Sequence, residues 1–194
     1  MALRTTVKIV TPASTEPLSL AEARAHLRVD GDEEDTLISF YISAARAHIE
    51  KCTQNRLRSE TVDIFMDGFP GRIELPVYPA TSITSITYYG TDDTATVWAS
   101  TNYQADLDAR PAVIVPKYSI SWPSVTLRPM QGVKVRAVVG WATVPEDLMA
   151  ALRMCLASLY ENRQAVVVGD TGSANAIMVP LGMDRFMQDS VLYA

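Results

Sequence analysis

Between residues 61 and 139 the chain is a succession of short β-prone runs broken by turn residues, and helical patterns stand on both sides of that stretch. The runs fall at 61–66, 72–75, 83–89, 103–107, 112–115 and 133–139. Breaks at Asp67-Gly68, Gly71, Gly90, Asp92-Asp93 and Gly132 recur at the spacing of a small antiparallel sandwich or barrel of about six strands. Pro76, Pro79, Pro111, Pro116, Pro123 and Pro129 sit at run ends, where a missing N–H does least harm to a ladder. The expected class is therefore α+β, a helical body with a small antiparallel β lobe inserted in it.

The helical body reads from three segments. Ser19-Leu20-Ala21-Glu22 is a capping box, in which the serine oxygen accepts a backbone N–H and the glutamate reaches back, so a first helix is predicted over 20–28. After Gly31, the acids Asp32-Glu33-Glu34-Asp35 suit the positive end of a helix dipole. Leu37, Ile38, Tyr41, Ile42, Ala45, Ile49 and Cys52 then fill one helical stripe, while Ser39, Ser43, Arg46 and Glu50 form its wet face. A third helix starts beside Pro145 with Glu146 and Asp147 in its first turn. Arg153 is the sole charge from Leu148 to Tyr160, so this helix should be covered on most sides, at the centre of the body.

The two ends differ from this body. Residues 1–16, rich in Thr and β-branched types and followed by Pro17, are expected as an extended arm. Residues 169–175 have the small, polar composition of a hinge. Beyond it Ile177, Met178, Val179, Leu181, Met183, Phe186, Met187, Val191, Leu192 and Tyr193 make an apolar tail, with Asp184 placed to cap a short final helix. Such a tail either folds back on its own helices or reaches a partner, and the ten apolar residues are the candidate partner interface. The expected divisions are 1–60 for the arm and first helices, 61–140 for the β lobe, 141–168 for the long helix, and 169–194 for hinge and tail.

Charge and chemistry narrow the function classes. The chain has 194 residues, 48% hydrophobic and 20% charged, the composition of an ordinary globular protein. Its formal charge of −5 and dispersed cations argue against tight binding along a phosphate backbone, yet suit a surface that DNA slides past. Cys52 and Cys155, each in a helical pattern, read as buried small hydrophobes in a reducing compartment. No apolar run reaches the roughly 18 residues of a membrane span. Asp30-Gly31-Asp32-Glu33-Glu34-Asp35 lacks the glycine and glutamate placement of a calcium loop, and His26 and His48 have no paired ligands nearby. Gly169-Asp170-Thr171-Gly172-Ser173 lacks the Lys-Ser/Thr of a phosphate loop. No catalytic constellation, metal set or cofactor motif is expected. Trp98, Trp122 and Trp141, with Tyr88, Tyr89 and Tyr103, read either as strand packing or as an aromatic face of a ligand- or peptide-binding module.

In order along the chain stand Pro17-Leu18-Ser19-Leu20-Ala21-Glu22-Ala23 with His26-Leu27-Arg28-Val29-Asp30, then Ala44-Ala45-Arg46 and Ile49-Glu50. They are followed by Ile73-Glu74-Leu75-Pro76 with Pro79, and by Ser82-Ile83-Thr84-Ser85-Ile86-Thr87-Tyr88. Trp122-Pro123, Val139-Gly140-Trp141 leading to Val144-Pro145, and the run from Leu148 to Tyr160-Glu161-Asn162-Arg163 complete the set. In this joint order the sequence resembles the head-tail connector (adaptor, or head-completion) proteins of long-tailed phages and gene transfer agents. The resemblance implies a non-catalytic virion part, assembled in the host cytoplasm into a twelve-fold ring beneath the portal protein. It also implies a DNA channel that runs through the ring without sequence-specific contact, and a stopper or tail-side connector on the other face. The C-terminal segment of such proteins reaches up to the portal, a role that the hinge and the apolar residues 177–193 would fill here.

Overall fold

The computed structural model describes residues 4–162 as a mixed α+β chain with three helices and antiparallel sheets. The backbone divides into two compact units, one of residues 4–14 and Arg58–Ala142, the other of Thr15–Leu57 and 143–162.

The first unit holds eight strands among the described residues: β1 (Thr5–Thr11), β2 (Glu60–Met66), β3 (Ile73–Glu74), β4 (Ala80–Tyr89), β5 (Ala95–Trp98), β6 (Tyr103–Asp106), β7 (Val113–Pro116) and β8 (Val133–Val139). A five-stranded sheet runs β1-β2-β8-β4-β5 and a three-stranded sheet runs β3-β7-β6, every pair antiparallel. Alternation sets the faces. On β8, Val133, Val135, Ala137 and Val139 are buried, while Lys134, Arg136 and Val138 are only part-buried. Ile64, Ile86 and Val135 of the larger sheet share one core with Ile73, Ile114 and Tyr103 of the smaller.

The six β-prone runs all lie on strands, and two strands stand outside them. Residues 5–11, expected as an arm, are extended but not free: β1 pairs with β2 from Thr5↔Met66 to Thr11↔Thr61 and lays Val7 on the core. A segment of Thr and β-branched residues satisfies its backbone groups in a ladder more readily than alone. Strand β5 escaped notice because it is a four-residue edge strand with only Trp98 buried, so no alternation marks it.

In the second unit, α1 (Leu20–Leu27), α2 (Asp35–Thr53) and α3 (Glu146–Glu161) enclose a core of Ile38, Ile42, Ala45 and Ile49 with Leu148, Leu152 and Leu156, closed by Leu18 and Ala23. The capping box forms as expected. Ser19 Oγ accepts the Glu22 N–H at 3.3 Å, and Glu22 Oε2 accepts the Ser19 N–H at 3.0 Å. No residue of α3 between Leu148 and Tyr160 is fully exposed, in keeping with its near-absence of charge.

Two side chains of α2 depart from the helical-wheel reading. Cys155 on α3 is buried, but Cys52 on α2 is exposed and lies 3.7 Å from His48 Nε2. The stripe turns away from position 52 because the helix ends at Thr53 and the buried side of its last turn is taken by Ile49, Glu50 and Thr53. Glu50, assigned to the wet face, is buried, because Arg46, Arg56 and the Leu57 N–H converge on its carboxylate.

Candidate assembly surfaces

Two of the acids at the start of α2, Glu34 and Asp35, are bound within the helical unit, while Asp32 and Glu33 are exposed. Arg24 Nε donates to Asp35 Oδ1 at 2.6 Å, and the Tyr160 hydroxyl donates to Glu34. Among the described residues no group of three or more His, Cys, Asp and Glu side chains is placed to hold a metal ion. None of the described helices is long and apolar enough to cross a membrane.

The aromatic residues of the β unit mostly face one another. Trp98 stacks on Tyr103 at 5.6 Å between ring centroids, Trp122 stacks on Phe69 at 5.0 Å, and the two tryptophans meet at 4.7 Å. Trp98 and Tyr103 are buried, and burial raises the Tyr103 phenol above its ordinary value. The aromatic signal is therefore cross-sheet packing at these positions. Trp141 stands apart, edge-on to Tyr78, whose ring also carries the Arg110 guanidinium 4.0 Å above it. The enclosed Trp141 indole N–H meets no acceptor among the described residues.

On the outer face of the larger sheet, Arg136 of β8 donates from Nε and Nη2 to the two oxygens of Asp63 on β2, each at 2.7 Å. These bonds, with Lys134 and Lys8 nearby, hold the Asp63 carboxyl below its ordinary value. A depressed carboxylate adds stability that is complete above the unfolded value near pH ~3.9 and fades as pH falls through the folded one. Urea melts between neutrality and pH ~3 should thus show a steeper acid loss for the wild type than for Asp63→Asn, which has no carboxylate to titrate there.

What the unit presents outward is a loop and a groove. Residues 117–131, between β7 and β8, form a long connection with no strand or helix of its own. It is nonetheless pinned: the Lys117 N–H donates to Asn102 O at 3.0 Å, Trp122 Nε1 donates to Gly71 O at 3.4 Å, and the Arg128 N–H donates to Tyr89 O at 3.2 Å. Along its length the loop holds Tyr118 at 98% exposure and Met130 at 66%, with Ile120 and Val125 also exposed. The groove, about 570 Å³, is open and lined from three segments, residues 79–81, 105–108 and 140–142. Neither feature was legible in the sequence, where 117–131 offered Trp122, as strand packing or an aromatic face, and the run-end prolines Pro123 and Pro129. An exposed tyrosine between a lysine and a serine was the one available sign.

The tail residues Ile177, Met178, Val179, Leu181, Met183, Phe186, Met187, Val191, Leu192 and Tyr193, together with the hinge, lie outside the described residues.

These features define a two-unit α+β protein whose β unit carries an exposed loop and an open groove. Residues 17–106, spanning α1, α2 and strands β2 to β6, match the family model of phage gp6-like head-tail connector proteins, so the resemblance to head-tail connectors holds. Among solved structures, a chain from the neck of an empty gene transfer agent particle, computed with C6 symmetry, aligns at a TM-score of 0.79 and 22% identity. That alignment covers 96% of this chain and 95% of the other. A chain from the virion of a native gene transfer agent particle gives 0.76 at 21% identity, covering 95% and 94%. One from the neck of a native particle computed with C12 symmetry gives 0.74 at 21%, covering 96% and 94%. At these identities the likeness establishes a shared fold. No curated protein sequence matches the chain.

Proposed function

We propose that this chain is a structural head-tail connector of a tailed phage or phage-like particle. It forms a ring under the portal, extends the DNA channel, and offers a docking surface to the next tail-side or stopper component. The observation that carries this reading is the connector family match over 17–106, within a fold shared along almost the whole chain with components of gene transfer agent necks. The C6 and C12 symmetries of those necks support a ring of six-fold or twelve-fold multiplicity. A formal charge of −5 fits a lumen that DNA traverses without being held. The role is structural, in keeping with the connector family match, and the virion neck is the place of action, in keeping with the neck components that share the fold.

Within this reading residues 169–194 are the reaching element, and the apolar side chains from Ile177 to Tyr193 contact the portal. Deleting 177–194 is expected to weaken portal binding roughly tenfold or more, measured by co-sedimentation of the full-length and shortened chains with purified portal. Undiminished binding would return the tail to its own body.

A further inference from the structure

We infer that neighbouring copies of this chain join head to tail through the β unit, the 117–131 loop of one copy seating Tyr118 in the groove of the next. The inference rests on the connector reading and names the lateral contact it requires. A contact that closes a ring is heterologous, so one subunit must carry two different patches that complement each other. The β unit carries such a pair. The knob is Tyr118, its side chain almost wholly in water although the loop around it is pinned by backbone hydrogen bonds to Asn102 and Tyr89. An exposed aromatic on a held loop loses little freedom on docking, which makes it a favourable anchor.

The hole is the groove walled by Pro79, Leu107 and Trp141, with Asp106 and Asp108 on its rim. Asp106 Oδ1 is engaged by the N–H groups of Asp108 and Ala109, yet both carboxylates are exposed. Beside Tyr118 stands the exposed Lys117, so the knob brings a cation to an acidic rim. The charges are opposite in sign, and so complementary.

Topology places the two patches at opposite poles of the unit. The loop leaves β7 at Pro116, which pairs with Tyr103 at the start of β6, and enters β8 at Val133, which pairs with Tyr88. The groove lies at the other ends, past Asp106 on β6 and past Val139 on β8. At ~3.3 Å per residue the separation is about 10 Å along β6 and about 20 Å along β8. The loop and its own groove therefore lie at opposite ends of the same strands, and a second copy is the occupant that carries both halves.

Disulfide trapping tests this on the full-length chain in a Cys52→Ser background. Lys117→Cys and Asp108→Cys proteins, mixed at high concentration and oxidised, should give the mixed dimer at least tenfold faster than either gives its own. The double-cysteine chain should give a ladder of covalent oligomers. In parallel, Tyr118→Glu should keep the parent's thermal midpoint, since the side chain touches little, while its self-association by light scattering falls at least tenfold. Absence of the mixed dimer, or unchanged self-association of Tyr118→Glu, overturns the inference. Unchanged self-association with lost binding of a tail-side partner overturns it too and assigns the loop to that partner. Portal co-sedimentation of the same proteins separates the two claims: trapping without portal binding sinks the connector reading alone, and portal binding without trapping sinks the lateral contact alone.

Discussion

Gly140→Ala is expected to unfold the β unit at temperatures the wild type survives easily. Gly140 follows β8 with φ +108°, a region that side-chain-bearing residues rarely adopt. A Cβ there would lie 2.0 Å from the Arg58 carbonyl oxygen and 2.9 Å from the Ser59 nitrogen, and both obstacles are backbone atoms entering β2. Backbone strain of about 1–3 kcal/mol and overpacking of about 1–3 kcal/mol add to a loss of about 4 kcal/mol. For a chain of this length that lowers the melting midpoint by more than about 8 °C. Gly71→Ala is the control, because a Cβ at Gly71 meets nothing within 4 Å, and its midpoint should move by no more than about 2 °C. Equal melting curves for the two variants would contradict the packing described for the β8 exit.

Glu50→Ala is expected to be the most damaging change of a charged residue in the helical unit. The carboxylate ends α2: Oε1 accepts the Leu57 N–H at 3.0 Å, and Oε2 meets Arg46 at 3.1 Å and Arg56 at 3.5 Å. Arg46 is itself bound to Glu16 at 2.7 Å, so one buried acid ties the segment before α1, the end of α2 and the turn into Leu57. Removing it leaves a buried N–H without its acceptor and two guanidinium groups without their shared anion, a loss of about 3 kcal/mol. Glu50→Gln keeps an oxygen for the Leu57 N–H and should lose only about half as much. Thermal melts of the two variants read this directly. A Glu50→Ala protein as stable as the wild type would show the hub to be a bystander.

The contrast between these residues shows what a one-dimensional pattern carries. Period and punctuation place the helices and six of the strands because they are local: Ser19 and Glu22 satisfy each other three residues apart, and Val133 to Val139 alternate within one strand. Glu50 was misplaced because its partners come from outside the helix, and a helical wheel knows nothing of Arg56 or Leu57. Strand β1 was legible as extended but not as paired, since its partner β2 begins at Glu60. The 117–131 loop and the groove are products of strand ends that meet only in three dimensions. The connector resemblance was readable from short motifs along the chain, among them the capping box, which lies within the matched residues 17–106, while the glycine of Val139-Gly140-Trp141 has a steric reason to be a glycine.

The central claim is that this chain is a ring-forming connector, and the most direct measurement is its mass by light scattering, alone and mixed with purified portal, with negative-stain images of any large species. The expected result is a ring, formed alone or on the portal, with a mass of six or twelve copies, the multiplicities proposed above. A chain that stays monomeric at every concentration and ignores the portal would contradict the account.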